Sequence, residues 1–403
     1  MKKHLLIVFI SISMGFISQK AWADNDSTLT IAAGDTTLQT TYIQGAINYC
    51  NKTGGGTVRL TAGTYRTAPL LIKSNITLRI DSAATLLGSP NMADWTVGTS
   101  LKNLLYTSGS LTNVRITGKG TIDGSGAPWW AAFNANTTLS RPRLIYLSNV
   151  TNLTIDSLTI TNSPSFHIVP NTCTNVVIDH VTINTSKNAP NTDGIDPSQC
   201  FNVLITNCYI STGDDNIAIK AGGTVGTTSG CQDITVSNCT FGYGHGLSIG
   251  SETFGGYNNL RVTGCTFKNT TNGIRIKSSP GNGGLVSNTY YSNITMTAVT
   301  NPIVVDWAYA TAVTTTPPKI PAGLNICINN LTATGSSNAG IFNGLTNSII
   351  QNIVLSNVNI TAKKGMTINY ADGVTFKNVV INKATAKNGT NVTCTGVTGI
   401  HGF

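Results

Sequence analysis

Asn175-Val-Val-Ile-Asp-His-Val-Thr-Ile183 alternates apolar and polar residues, and Asn352-Ile-Val-Leu-Ser-Asn-Val-Asn-Ile360 repeats the pattern far along the chain. The same form, Asn-apolar-x-apolar-x-(Asp/Asn/Gly)-apolar-x-apolar, starts again at Asn152, Asn202, Asp233, Asn259, Asn293, Asn325 and Gly373, at intervals of 21 to 34 residues. Alternation with period two describes short strands with one buried face. Self-similarity at a drifting spacing of this size describes a solenoid. Helical solenoids are excluded by the alternation, which leaves an all-β parallel β-helix whose coils stack about 4.8 Å apart.

The cysteines follow the same register. Six places after the repeat starts, one column reads Leu158, Val181, Cys208, Cys239, Cys265, Val299, Leu331, Val358, Val379; two places before, another reads Cys173, Cys200, Cys231. No histidine joins either ladder, so small apolar residues in a stacked core explain them better than a metal site. The sequence does not fix a disulfide pairing.

At 403 residues, with 41 glycines and 10% charged residues, the chain suits one large β body and neither a coiled coil nor a disordered acidic protein. Residues 1–23 read as a cleaved export signal: Lys2 and Lys3, an apolar run from Leu5 to about Ser18, and Ala21-Trp22-Ala23 as the cleavage site. The run is shorter than the roughly 20 residues that span a bilayer. The expectation is one catalytic domain over 24–403, a monomer released to the extracellular or periplasmic side, with no membrane partner. Losing Lys2, Lys3 and Lys20 takes the formal charge from +9 to +6, a mild excess that permits a polyanionic partner. No basic run interleaved with aromatics points to nucleic acid.

Glutamate occurs once, at Glu252, so carboxylate chemistry falls to aspartate. Asn191-Thr-Asp-Gly-Ile-Asp196, Gly213-Asp-Asp-Asn216, Gly244-His-Gly246 and Arg275-Ile-Lys277 recur once per coil. Counting back two from the strand residues Ile195, Ile217, Leu247 and Ile274 puts Asp193, Asp215, His245 and Asn272 in one column, with Asp214 one place out of it. Isolated Asp-Gly or Asp-Asp pairs are ordinary turn chemistry. Stacked on adjacent coils, like charges repel, and such a column points to a task. Two close aspartates can share a titration and hold a water, and Asp214 set against the Asp193/Asp215 pair can provide the separation of an inverting glycosidase, about 6.5–9.5 Å. Clustered acids raise one another's proton affinity, which helps keep an acid protonated. His245, between glycines that leave room for a ligand, is placed to bond Asp214 or a sugar hydroxyl. His167 and His180 read as structural. Arg275 and Lys277 share an outward face, where they either balance the carboxylates or receive the carboxylate of a uronic acid.

With these segments in place, the chain closely resembles the polygalacturonases, pectin-degrading glycoside hydrolases of family 28. The four segments stand in that family's order, with support from Gly54-Gly-Gly-Thr-Val58, Gly118-Lys-Gly-Thr-Ile-Asp-Gly124, Trp129-Trp130 and Ser163-Pro-Ser-Phe-His167; Gly246-Leu-Ser-Ile-Gly-Ser-Glu-Thr253 looks like the bacterial branch. The resemblance implies a right-handed single-domain β-helix that hydrolyses α-1,4-galacturonosyl bonds of polygalacturonate with inversion, without metal or other cofactor. It implies Asp214 as general acid, Asp193 and Asp215 as the water-activating pair, and His245 as an assisting residue. Arg275, Lys277 and Tyr309 would bind substrate. The chain has no room for the extra N-terminal domain of larger exo-acting relatives, which leans toward endo action. The alternatives are an exo-polygalacturonase, a rhamnogalacturonan hydrolase, a pectate lyase, and a non-catalytic β-helical polysaccharide-binding protein.

Overall fold

The computed structural model describes residues 28–33, 37–222, 229–310, 319–383 and 391–402; the expected export signal, residues 1–23, lies outside them. These residues wind into a right-handed parallel β-helix. Every paired strand is parallel to its neighbour except a small hairpin, Thr96–Val97 with Ser100–Leu101. One inward column runs Val176, Val203, Ile234, Leu260, Thr289, Ile326, Ile353 through successive coils. Such columns form a single core along the axis of the helix.

The asparagine that opens each repeat has a physical cause. Asn152, Asn175, Asn202, Asn259, Asn325 and Asn352 all sit at φ between 55° and 62°, where the chain turns a corner. Asparagine tolerates this left-handed conformation better than other side chains. Its amide then bonds the matching residue of the coil before: Asn175 Nδ2 donates to Asn152 Oδ1 (3.0 Å), and Asn202 Nδ2 to Asn175 Oδ1 (2.8 Å). The ladder thus pairs its own half-buried amides from coil to coil.

In one coil the repeat start is Asn288, not Asn293. Asn288 has φ 57° and its Oδ1 accepts from Asn325 Nδ2, whereas Asn293 belongs to the next corner and bonds Asn330. The interior of that coil is built from Thr289 and Tyr291, both fully buried, and so lacks the apolar alternation that marks the others. The cysteine column correspondingly continues through Ile294, not Val299. Cys173, Cys200, Cys208, Cys231, Cys239 and Cys265 are buried free thiols, stacked as core residues.

Among the described residues, two α-helices interrupt the strands. Thr40–Lys52 buries Ile43, Ile47 and Cys50 against Gly56–Leu60, closing the first coils as a solenoid requires. Ala127–Ala135 carries Trp129 onto Trp95, edge to face at 5.9 Å. No helix among the described residues is long and apolar enough to cross a membrane.

Candidate active site

The predicted column is present. Ile195 pairs with Ile217, Ile217 with Leu247, and Leu247 with Ile274, so Asp193, Asp215 and His245 stand at matching places on three adjacent coils. Backbone bonds lock the turns that carry them: Gly194 N donates to Asp215 O (2.9 Å), His245 N to Asp214 O (2.9 Å), and Asn216 N to Gly246 O (3.0 Å).

Gly244 and Gly246 do not leave room for a ligand. They have φ of 136° and 84°, and a Cβ on Gly246 would lie 2.1 Å from the carbonyl oxygen of Asn272. The neighbouring coil fills the space, so glycine serves coil stacking and fixes the imidazole. That imidazole meets the expected partner, His245 Nδ1 lying 3.0 Å from Asp214 Oδ1.

Asp214 is the accessible member of the trio, its side chain 22% exposed, while Asp193 and Asp215 are buried. Its second oxygen accepts from Asn191 Nδ2 at 3.3 Å, and Arg141 in turn holds Asn191. Asp215 is clamped from both sides: Oδ1 accepts from Ser248 (3.1 Å) and Arg275, Oδ2 from Lys277 Nζ (2.8 Å). Arg275 Nε also donates to Ser248 Oγ (2.9 Å). The two cations therefore balance a buried carboxylate in the free protein. Tyr309 caps them, its ring 5.8 Å from the Arg275 guanidinium and 5.2 Å from Lys277 Nζ.

Asp193 leans the other way, toward Lys220 at 3.8 Å, which is also 3.6 Å from Asp196. Asp196 and Lys220 were not singled out by the sequence reading. The available signal was Asp196 three places after Asp193, together with Lys220 two residues past Ala218 on the same outward face of the next coil. Asp196 is fully buried with neither carboxylate oxygen hydrogen-bonded.

Proton affinities divide the acids. Burial, then the charge of Asp196, pushes Asp193 well above the usual carboxylate range, against the pull of Lys220; Asp214 and Asp215 add to the rise. Burial likewise lifts Asp196 to about 7. Burial also raises Asp214, but the hydrogen bond and charge of His245, with Lys277, outweigh it and leave Asp214 below its ordinary value. Burial, with a smaller contribution from repulsion between the acids, thus protects a proton on Asp193 and Asp196, not on Asp214 as the clustering alone suggested. His167 is structural, as expected: it is fully buried, with Nδ1 3.0 Å from the Asp193 carbonyl and burial holding its pKa at about 4. His180 is exposed beside Asp179.

Donor atoms of Asp214, Asp215 and His245 lie within 4.8 Å of one another, a spacing that could hold a metal ion. Arg275, Lys277 and Ser248 already occupy the Asp215 oxygens, so this position is matched to protein cations. What the arrangement offers is one reachable carboxyl paired with an imidazole, three buried carboxyls behind it, and a cationic wall.

The sequence matches the glycosyl hydrolases family 28 over residues 50–384. The chain belongs to this family. An endo-polygalacturonase of Pectobacterium carotovorum subsp. carotovorum is 36% identical over 337 residues, covering 74% of this chain and 82% of that protein. The solved polygalacturonase from Erwinia carotovora ssp. carotovora shares 32% identity at a TM-score of 0.73, covering 91% of this chain and 96% of that one. A family 28 exopolygalacturonase of Yersinia enterocolitica superposes at a TM-score of 0.82 with 23% identity, covering 93% and 78%; at that identity the likeness is one of fold. The protein is therefore a glycoside hydrolase, and a membership based on sequence distinguishes it from a lyase or a binding protein that merely shares the β-helix.

Proposed function

We propose that the protein is a secreted polygalacturonase that hydrolyses α-1,4-galacturonosyl bonds within polygalacturonate and inverts the anomeric centre. The observation that carries this reading is the pairing of the accessible acid Asp214 with His245 in contact range of Asp215, whose cationic partners Arg275 and Lys277 form the adjoining wall. Both cations already balance Asp215, and a uronate carboxylate reaching this wall would share them, which a neutral sugar would not.

In this reading Asp214 delivers the proton to the leaving oxygen. Asp214 and His245 share a hydrogen bond, so the pair holds one transferable proton between them even though Asp214 alone binds it weakly. Asp193 and Asp215 act on the water as a pair: Asp215, paired with Arg275 and Lys277, accepts the water's proton, while Asp193, whose own proton burial protects, holds the water in place. Oxygens of Asp214 and Asp215 approach within 4.8 Å, closer than the about 6.5–9.5 Å of an inverting pair. Inversion therefore places the water on the Asp193 side of the cluster, where an oxygen, Oδ1, has no partner. Arg275, Lys277 and Tyr309 receive the substrate carboxylate, which competes with Asp215 for the two cations. Endo action is supported by the Pectobacterium relative, and export by residues 1–23 ahead of the catalytic body.

The test is proton NMR of the first product from polygalacturonate, with chromatography of early products. A β-configured new reducing end and a spread of oligomers are expected. An α-configured end overturns inversion, monomer as the sole early product overturns endo action, and an unsaturated product overturns hydrolysis.

A further inference from the structure

Ile145, Ile168, Ile195 and Ile217 stand in register on four successive coils. Arg141 lies on the turn ahead of the first, yet its guanidinium ties down the turns ahead of the next two. Nη1 donates to the carbonyl oxygens of Pro164 (2.9 Å) and Pro190 (2.7 Å), and Nη2 donates to Asn191 Oδ1 (2.8 Å). The helix Ala127–Ala135 supplies the backing. Its Phe133 ring lies against the guanidinium, with 3.7 Å from ring centroid to central carbon, and its Trp130 indole N–H donates to Ser163 O (2.9 Å). A planar fork stacked on a ring and bonded at three acceptors has one orientation.

Asn191 passes that orientation to the acid. Asp214 Oδ1 accepts from Asp215 N (2.8 Å) and faces His245, whereas Oδ2 meets Asn191 Nδ2 at 3.3 Å. An asparagine amide has a donor end and an acceptor end, and a half-turn about its last bond exchanges them. The donor end suits an ionised carboxylate, and the acceptor end suits a protonated one. Arginine carries donors only, so it takes the amide oxygen and leaves the NH2 group facing Asp214.

We infer that Arg141 is a positioning residue for the acid: it fixes the Asn191 amide with an N–H toward Asp214 Oδ2, which keeps the proton of the Asp214–His245 pair on the Oδ1 side and ready to leave. The inference rests on the reading of Asp214 as general acid. Without Arg141 the amide can turn, its oxygen accepts from protonated Asp214, and the acid holds its proton more tightly. The charged groups that face Asp214 are His245 and Lys277, which lower its proton affinity, and Asp193, Asp196 and Asp215, which oppose them. A change at Arg141 leaves all five in place.

The experiment compares the wild type with Arg141→Met, which keeps the apolar stem and removes the donors, and with Arg141→Lys, each alone and on an Asn191→Ala background. KM, kcat and the pH profile of kcat/KM are read on polygalacturonate, and the Asp214 carboxyl is titrated by carbon-13 NMR without substrate. Arg141→Met is expected to lower kcat about ten-fold with KM within a few-fold. It should move the alkaline limb of the profile and the carboxyl titration up by about one pH unit, the size of one hydrogen bond to a charged group. Arg141→Lys should recover part of both. On the Asn191→Ala background Arg141→Met should move neither further, because the amide through which it acts is gone. An equal shift there means that Arg141 acts by its charge alone and overturns the inference. So does a profile lowered at all pH values without a shift, or a raised KM with kcat unchanged. Should Arg141→Met not fold, Asn191→Ala alone must still move the carboxyl titration up, and an unmoved titration overturns the inference. A wild type inert on polygalacturonate refutes the general-acid reading, while the carboxyl titration still tests the positioning.

Discussion

Asp196→Asn isolates the buried charge behind the acids. Asn keeps the shape of Asp196 and removes its ionisation. Burial lifts the Asp196 carboxyl from an ordinary 3.8 to about 7, a rise of about three units. At about 1.4 kcal/mol per unit, the ionised form costs the fold on the order of 4 kcal/mol. Lys220, 3.6 Å away, opposes this with an attraction of similar size, about 4–5 kcal/mol at an effective dielectric of about 20. The raised value already includes that attraction, so desolvation wins. A carboxyl whose folded pKa exceeds its unfolded one supports the fold fully below about pH 4, and that support is lost as pH rises through about 7. Asp196→Asn should therefore be more stable than wild type at pH 8 by roughly 2–4 kcal/mol, with the gap closing by about pH 4. Guanidinium unfolding of both proteins at pH 4, 6 and 8 measures it. A variant less stable than wild type at pH 8 would show that the Lys220 pair carries the site and that the burial argument is wrong.

The remaining predictions concern the acids' partners. Lys277→Ala should raise KM for polygalacturonate by about ten-fold or more, since a hydrogen bond to a charged group contributes roughly 1.5–3 kcal/mol. It should also lower thermal stability, because buried Asp215 keeps only Arg275 and Ser248; steady-state kinetics and calorimetry check the two effects, and an unchanged KM counts against the carboxylate-receptor role. His245→Asn should lower kcat and raise the proton affinity of Asp214, whose depression comes from His245. The pH profile of kcat/KM then changes shape rather than merely losing height, and a profile scaled down at all pH values would contradict the pairing.

The coil register was legible because each active-site strand contributes an isoleucine or leucine, Ile195, Ile217, Leu247 and Ile274, at a place that pairs with its neighbours. That alone placed Asp193, Asp215 and His245 together. The reading failed at Asn288, where buried Thr289 and Tyr291 replace the apolar residues that betray a strand. It also misjudged Gly244 and Gly246, because a sequence does not show the carbonyl of the next coil pressing on the turn. Asp196 and Lys220 escaped notice for a related reason. A lysine and an aspartate 24 residues apart become partners only once the register of both coils is fixed. The order of proton affinities is a property of burial, and alternation reports burial of strands better than of the turns where Asp193 and Asp214 sit.

The most direct test of the shared hydrolytic centre is Asp214→Asn, assayed for new reducing ends from polygalacturonate alongside equilibrium binding of the same polymer. The account predicts hydrolysis reduced to background with binding within a few-fold of wild type. Near-normal turnover in that variant would contradict it.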